Sequence, residues 1–87
     1  MEIDDIDEID YDEILETILK DIMRTQGALK VVKHYMKGAK KKGDTTLGFL
    51  YFKEIKDLER KLNELNDQYR LFLKEYIKET NELLTKL

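Results

Sequence analysis

Apolar residues recur every seven positions on both sides of one short polar stretch, Lys41-Lys42-Gly43-Asp44-Thr45-Thr46. Before it run Leu15, Ile22, Leu29 and Met36. After it run Tyr51, Leu58, Leu65 and Phe72. A second set interleaves at steps of three and four: Tyr11, Ile18, Thr25 and Val32, then Ile55, Leu62, Tyr69 and Tyr76. This is the a and d spacing of a coiled coil. The halves mirror each other about the Gly43/Asp44 junction, which pairs Ile22 with Leu65 and Leu29 with Leu58. The pattern predicts an all-α chain: an antiparallel, coiled-coil-like two-helix hairpin folded back at residues 43–46.

Start and stop signals agree with that reading. Asp10 can cap a first helix of about residues 11–42, with Glu13 three residues on and Ile9 and Ile14 as a flanking staple. Lys40, Lys41 and Lys42 suit the negative end of its dipole, and Gly43 suits a left-handed cap. Asp44, Thr45 or Thr46 can cap a second helix of about residues 47–87. Gly27 follows Thr25-Gln26, the weakest point of the seam. A kink or close crossing is expected there, and a break into a three-helix monomer is the alternative. Ala39 mirrors Gly48, which predicts a close helix approach near the turn. Residues 1–10 form an acidic tail. It reads either as a frayed, solvated end or as a docking arm carrying Ile3, Ile6 and Ile9.

A two-helix seam is narrow, and this chain has apolar residues to spare. Leu47, Phe49, Leu50 and Phe52 surround Tyr51 near the turn. Leu73, Ile77, Leu84 and Leu87 gather at the far end, where helix 2 outlasts its partner beyond Tyr76. Large exposed apolar patches mark interaction sites. The hairpin is therefore expected to assemble into a helical bundle, as a homodimer or tetramer, with a different protein as the other occupant of these surfaces.

Composition narrows the setting. Of 87 residues, 40% are charged and none is proline, which favours long solvated helices. The net charge of −3 hides a segregation: residues 1–13 carry acids and no base, and residues 30–43 carry lysines and no acid. Such separation suggests a charge-guided contact within or between chains. There is no cysteine, so no disulfide staples the fold, and a reducing compartment is expected. No apolar run approaches the roughly 20 residues of a membrane span, and the start lacks the basic and apolar regions of a signal peptide. The expected location is cytoplasmic, with no membrane partner. A short chain of this Lys, Ile and Asn content also suits a phage or mobile-element protein.

The inventory for catalysis is nearly empty. There is no serine, no cysteine and a single histidine, His34. Neither Glu-x-x-His nor His-Glu-x-x-His occurs. Glu75, Glu79 and Glu82 share a helix face but alternate with Lys74 and Lys78, so a solvated face is expected. No catalytic residue, metal site or cofactor is assigned, and the chain is expected not to be an enzyme. The feature with chemical reach is the basic stretch of Lys30, Lys33, Lys37, Lys40, Lys41 and Lys42. Steps of three and four place most of it on one helix face, where it could track the phosphates of nucleic acid or an anionic nucleotide. The helix N-terminus at Asp44–Gly48 adds an anion site in principle. In outline the hairpin is similar to small secreted hairpins of the WXG type. Those carry Trp-x-Gly in the turn, where this chain has Leu47-Gly48-Phe49. They also carry a C-terminal Tyr-x-x-x-Asp/Glu, where Tyr76 is followed by Thr80.

The function expected from all this is a non-enzymatic, self-associating interaction module: a small regulator, inhibitor or adaptor. The alternative is nucleic-acid or nucleotide binding through the lysines.

Overall fold

Heptad periodicity sustained on both sides of one turn leaves the chain a single economical solution, two helices laid against each other. A computed structural model describes residues 10–87, and Ile3, Ile6 and Ile9 lie outside the described residues. Helix α1 spans Tyr11–Lys42 and helix α2 spans Thr45–Lys86. Of the described residues only Asp10, Gly43, Asp44 and Leu87 lie outside a helix, and there is no strand among them. The helices pack antiparallel in one layer whose Cα extents are 65 × 26 × 14 Å.

Local chemistry explains the boundaries. The Asp10 carboxylate accepts the Glu13 amide at 3.1 Å, and the Asp44 carboxylate accepts the Leu47 amide at 3.0 Å. Each satisfies one of the unpaired amides at a helix start. Gly43 adopts φ 71°, the left-handed region that costs other L-residues about 1–2 kcal/mol. Its amide reaches Lys40 O at 3.1 Å, and the Asp44 amide reaches Ala39 O at 3.0 Å. These two bonds close the end of α1 in a Schellman motif. Gly43 and Asp44 alone form the turn, so α2 begins at Thr45.

Every a and d position from Tyr11 to Met36 and from Tyr51 to Tyr76 is buried or half-buried. Tyr11, Leu15, Ile18, Ile22, Val32 and Ala39 are buried on α1, and Ile55 and Leu65 on α2. A buried cluster joins Ile18, Ile22 and Leu65, with Ile14, Leu62, Tyr69 and Phe72 packed on it. The mirror register is thus realised, and its core lies toward the free end rather than at the turn. Leu29 and Leu58 are only half-buried. The polar seam residue Thr25 is 4% exposed. Its hydroxyl donates to Asp21 O at 2.8 Å, which removes the penalty of an unpaired buried donor.

α1 runs unbroken through Gly27, so the three-helix alternative is not formed. A Cβ at Gly27 or at Gly48 would meet nothing within 4 Å. No close approach requires glycine at either place, because a and d side chains already set the helix spacing. Each of Gly27→Ala and Gly48→Ala should raise stability by about 0.8–1.0 kcal/mol, the helix-interior difference between the two residues. Gly43→Ala should lower it through its positive φ. Thermal melts of the three variants check the contrast, and a destabilised Gly27→Ala would contradict it.

Candidate functional site

The seam fixes where every other side chain stands. With Leu15, Ile22, Leu29 and Met36 as a positions of α1, Lys33 and Lys40 fall at e, and Lys30 and Lys37 at b. With Tyr51, Leu58, Leu65 and Phe72 as d positions of α2, Phe52, Leu73 and Leu87 fall at e. Phe49, Ile77 and Leu84 fall at b, Leu47 at g, and Leu50 at c. In an antiparallel pair g adjoins g and e adjoins e. An open groove lined by Ile14 and Gln68, both g residues, together with Ile18 and Phe72, shows the g side. The hairpin therefore has two broad faces, an e/b face and a g/c face.

This division sorts the apolar residues at each end by face. Near the turn, Phe49 and Phe52 belong to the e/b face, exposed by 65% and 45%. Leu47 and Leu50 belong to the g/c face, beside the exposed Val31 and Tyr35. At the free end Ile77, Leu84 and Leu87 are exposed, whereas Leu73 is half-buried. Four further large apolar residues are exposed, Leu19, Met23, Leu71 and Leu83, and the heptad places Leu19 at e and Leu71 at c. Leu83 continues the seven-residue row from Tyr76, and Met23 sits at b beside seam residue Ile22.

Lys30, Lys33, Lys37, Lys40, Lys41 and Lys42 are all exposed. Four of them line the e/b edge of α1, and Lys41 and Lys42 stand in its last turn. Among the described residues, the ion pairs join Lys20 to Glu16, Arg24 to Asp21, Lys56 to Glu59 and Arg60 to Asp57. None of these involves Lys30–Lys42. Lys56 also places its Nζ 5.4 Å from the Phe52 ring centroid. At the start of α2 the Asp44 carboxylate accepts the Leu47 amide, and the Gly48 amide reaches Asp44 O. His34 is exposed and lies 6.2 Å from the Tyr35 ring, tilted to it. Among the described residues no group of three or more His, Asp or Glu is placed to hold a metal ion. No helix there is long and apolar enough to cross a membrane.

Two tyrosine stacks pin the ends of the seam. Tyr11 and Tyr76 lie 5.8 Å apart, and Tyr35 and Tyr51 lie 5.9 Å apart. The Tyr11 phenol is raised above the ordinary 10.0 by burial, then by the charges of Glu79 and Glu75. The Tyr76 phenol is raised chiefly by the Asp12 carboxylate. The fold thus holds both phenols neutral. Stability is unaffected below the ordinary pKa of 10.0 and falls as pH rises above it toward the raised folded values. A tyrosinate absorbance titration should show two late-titrating groups, and Asp12→Asn should bring one of them earlier. Five tyrosines titrating together would contradict this.

Compared with family models, with characterised proteins and with solved structures, the chain matches none. Its class is given by geometry alone: a helical hairpin that forms a single layer among the described residues.

Proposed function

We propose that this chain is a non-enzymatic helical interaction module that self-associates and acts by protein–protein binding, as a small regulator, inhibitor or adaptor. One observation carries the reading: large apolar side chains stand in solvent at both ends of a one-layer fold. Domains normally bury apolar faces between two layers, and among the described residues each helix has one neighbour. The chain exposes 7403 Å² at a mass of 10.4 kDa. A compact monomer of that mass exposes about 5,400 Å², so the excess is on the order of 1,000–2,000 Å². A standard interface covers about 800 Å² per partner. A second copy is enough to supply the missing layer.

The test is the mass of the purified chain in solution by sedimentation or light scattering. Twice or four times 10.4 kDa supports self-association. A 10.4 kDa species at every accessible concentration removes it.

The six exposed lysines outside any ion pair among the described residues favour a second reading, electrostatic binding of nucleic acid or an anionic nucleotide. Affinity for duplex and single-stranded DNA should then fall steeply with salt. The triple variant Lys30→Glu, Lys33→Glu, Lys37→Glu should abolish it. Absence of binding at low salt rules this reading out.

A further inference from the structure

The e/b face changes character along its length, and the change is symmetric about its middle. On α2, Phe49 lies fourteen residues before Asn63, and Ile77 lies fourteen after it. Phe52 lies eleven before, and Leu73 ten after. The intervening e and b positions are polar: Lys56, Glu59, Asn63, Asn66 and Arg70. The mirror register sets Asn63 level with Arg24 on α1. From Arg24, Lys33 and Lys37 lie nine and thirteen residues toward the turn. Glu16 and Asp12 lie eight and twelve toward the free end, and all four sit at e or b. Both helices therefore repeat complementary groups at matched distances on the two sides of one level.

We infer that a second copy of this chain covers the e/b face in antiparallel orientation, about a two-fold axis at the level of Asn63 and Arg24. This rests on the self-association proposed above and names its geometry. Such an axis lays α2 on α2 and α1 on α1. Phe49 and Phe52 meet Ile77 and Leu73 of the partner subunit, and symmetry makes the contact twice. Lys37 and Lys33 come level with Asp12 and Glu16 of the partner subunit, again twice. The product is an antiparallel four-helix bundle with two apolar contacts about 42 Å apart along α2 and a polar, wet centre. Lys56 comes level there with Arg70 of the partner subunit, a like-charge pair that the Glu59 carboxylate, 3.6 Å from Lys56 Nζ, offsets.

The parallel arrangement fails on the same residues. It lays α1 on the partner's α2 with the turns together. Lys33, Lys37 and Lys40 then lie over the stretch of Phe49, Phe52 and Lys56 of the partner subunit, and only Lys30 comes near an acid of that face, Glu59 of the partner subunit. Leu73 and Ile77 cover Asp12 and Glu16 of the partner subunit. Desolvated charge without a partner and like charges across a contact both disfavour association. Two-fold dimers are also the commonest closed assembly.

The absence of cysteine makes the test direct, because any single cysteine introduced reports on its own surroundings. Under mild oxidation Asn63→Cys should form a disulfide-linked dimer in most of the protein, since the two copies meet at the axis. Lys56→Cys alone and Arg70→Cys alone should not, because like positions lie about 21 Å apart along the rod. An equimolar mixture of Lys56→Cys and Arg70→Cys should form the mixed disulfide. Reversing one charge, Lys33→Glu, should weaken the dimer, and adding Glu16→Lys should restore it. An unlinked Asn63→Cys, or self-linked Lys56→Cys, in a chain that still sediments as a dimer would overturn this geometry and leave self-association standing. A strictly monomeric chain would overturn both.

Discussion

Ile22→Ala is expected to unfold the isolated hairpin at ordinary temperature. Ile22 is 6% exposed and belongs to the buried cluster with Leu65 and Ile18. Truncating a buried isoleucine costs about 2–5 kcal/mol, from lost transfer energy and the cavity left behind. A core of this size supplies only about 3–5 kcal/mol net, so the loss is comparable to the whole. Leu65→Ala should act alike, because it empties the opposite wall of the same cluster. Leu29→Ala and Leu58→Ala should cost less, at the lower end of that range, since both residues are half-buried. Leu50→Ala removes a side chain that is 55% exposed and should stay within about 0.5 kcal/mol. Helical circular dichroism against temperature, at low micromolar protein, checks the series. Low concentration matters because association stabilises by mass action and would mask the intrinsic loss. Equal, near-zero shifts for Ile22→Ala and Leu50→Ala would show that the seam is not where stability resides.

The helical architecture was legible because the signals were redundant. Two heptad rows, an Asp cap at each helix start and a glycine after three lysines all point to one hairpin, and such agreement across levels is what specifies a fold. What the sequence left open concerns spacing and faces. Gly27 and Gly48 suggest close approach, but the need for glycine depends on interhelical distance, which the flanking side chains set. Leu47, Phe49, Leu50 and Phe52 are consecutive enough to read as one surface. On a helix they diverge by 100° per residue, so Leu47 and Leu50 turn one way, and Phe49 and Phe52 the other. The seven-residue row predicts burial at Leu29 and Leu65 alike. How deeply each is buried depends on its neighbours: Leu65 has Ile18, Ile22 and the ring of Tyr69 around it. The lysine stripe was readable from spacing, whereas its lack of ion pairs among the described residues needed coordinates. Ile3, Ile6 and Ile9 remain a reading of the sequence alone.

The charge segregation gains a physical use once the hairpin is seen as a rod. Acids gather where α1 begins, at Asp10, Asp12, Glu13 and Glu16, and lysines where it ends, at residues 30–42. About 28 Å of helix separates Tyr11 from Lys30, well beyond the Debye length of about 8 Å at physiological salt. The two ends of one hairpin therefore hardly feel each other. Laid antiparallel against a second copy, each end meets its opposite at contact distance. High salt should accordingly weaken association without melting the hairpin, whose core is apolar.

The double variant Phe49→Ala, Phe52→Ala is expected to convert the assembly to monomers while leaving the hairpin folded. Both rings are largely in solvent within one chain, so the seam loses little. In the antiparallel assembly both are covered, and the two-fold axis counts each substitution twice. Fully burying a large apolar side chain contributes about 1.5–3 kcal/mol, and these rings are half to two-thirds available, giving about 1–2 kcal/mol each. Four rings then represent about 4–8 kcal/mol, which at 1.4 kcal/mol per tenfold weakens association by a factor of roughly a thousand or more. The matching variant on the opposite face, Leu47→Ala with Leu50→Ala, should leave the mass in solution unchanged. Sedimentation of the three proteins at one concentration decides it, with circular dichroism confirming that each remains helical. If the leucine pair dissociates the assembly and the phenylalanine pair does not, the covered face is the g/c face. The charge pairing of Lys33 and Lys37 with Glu16 and Asp12 would then lose its basis.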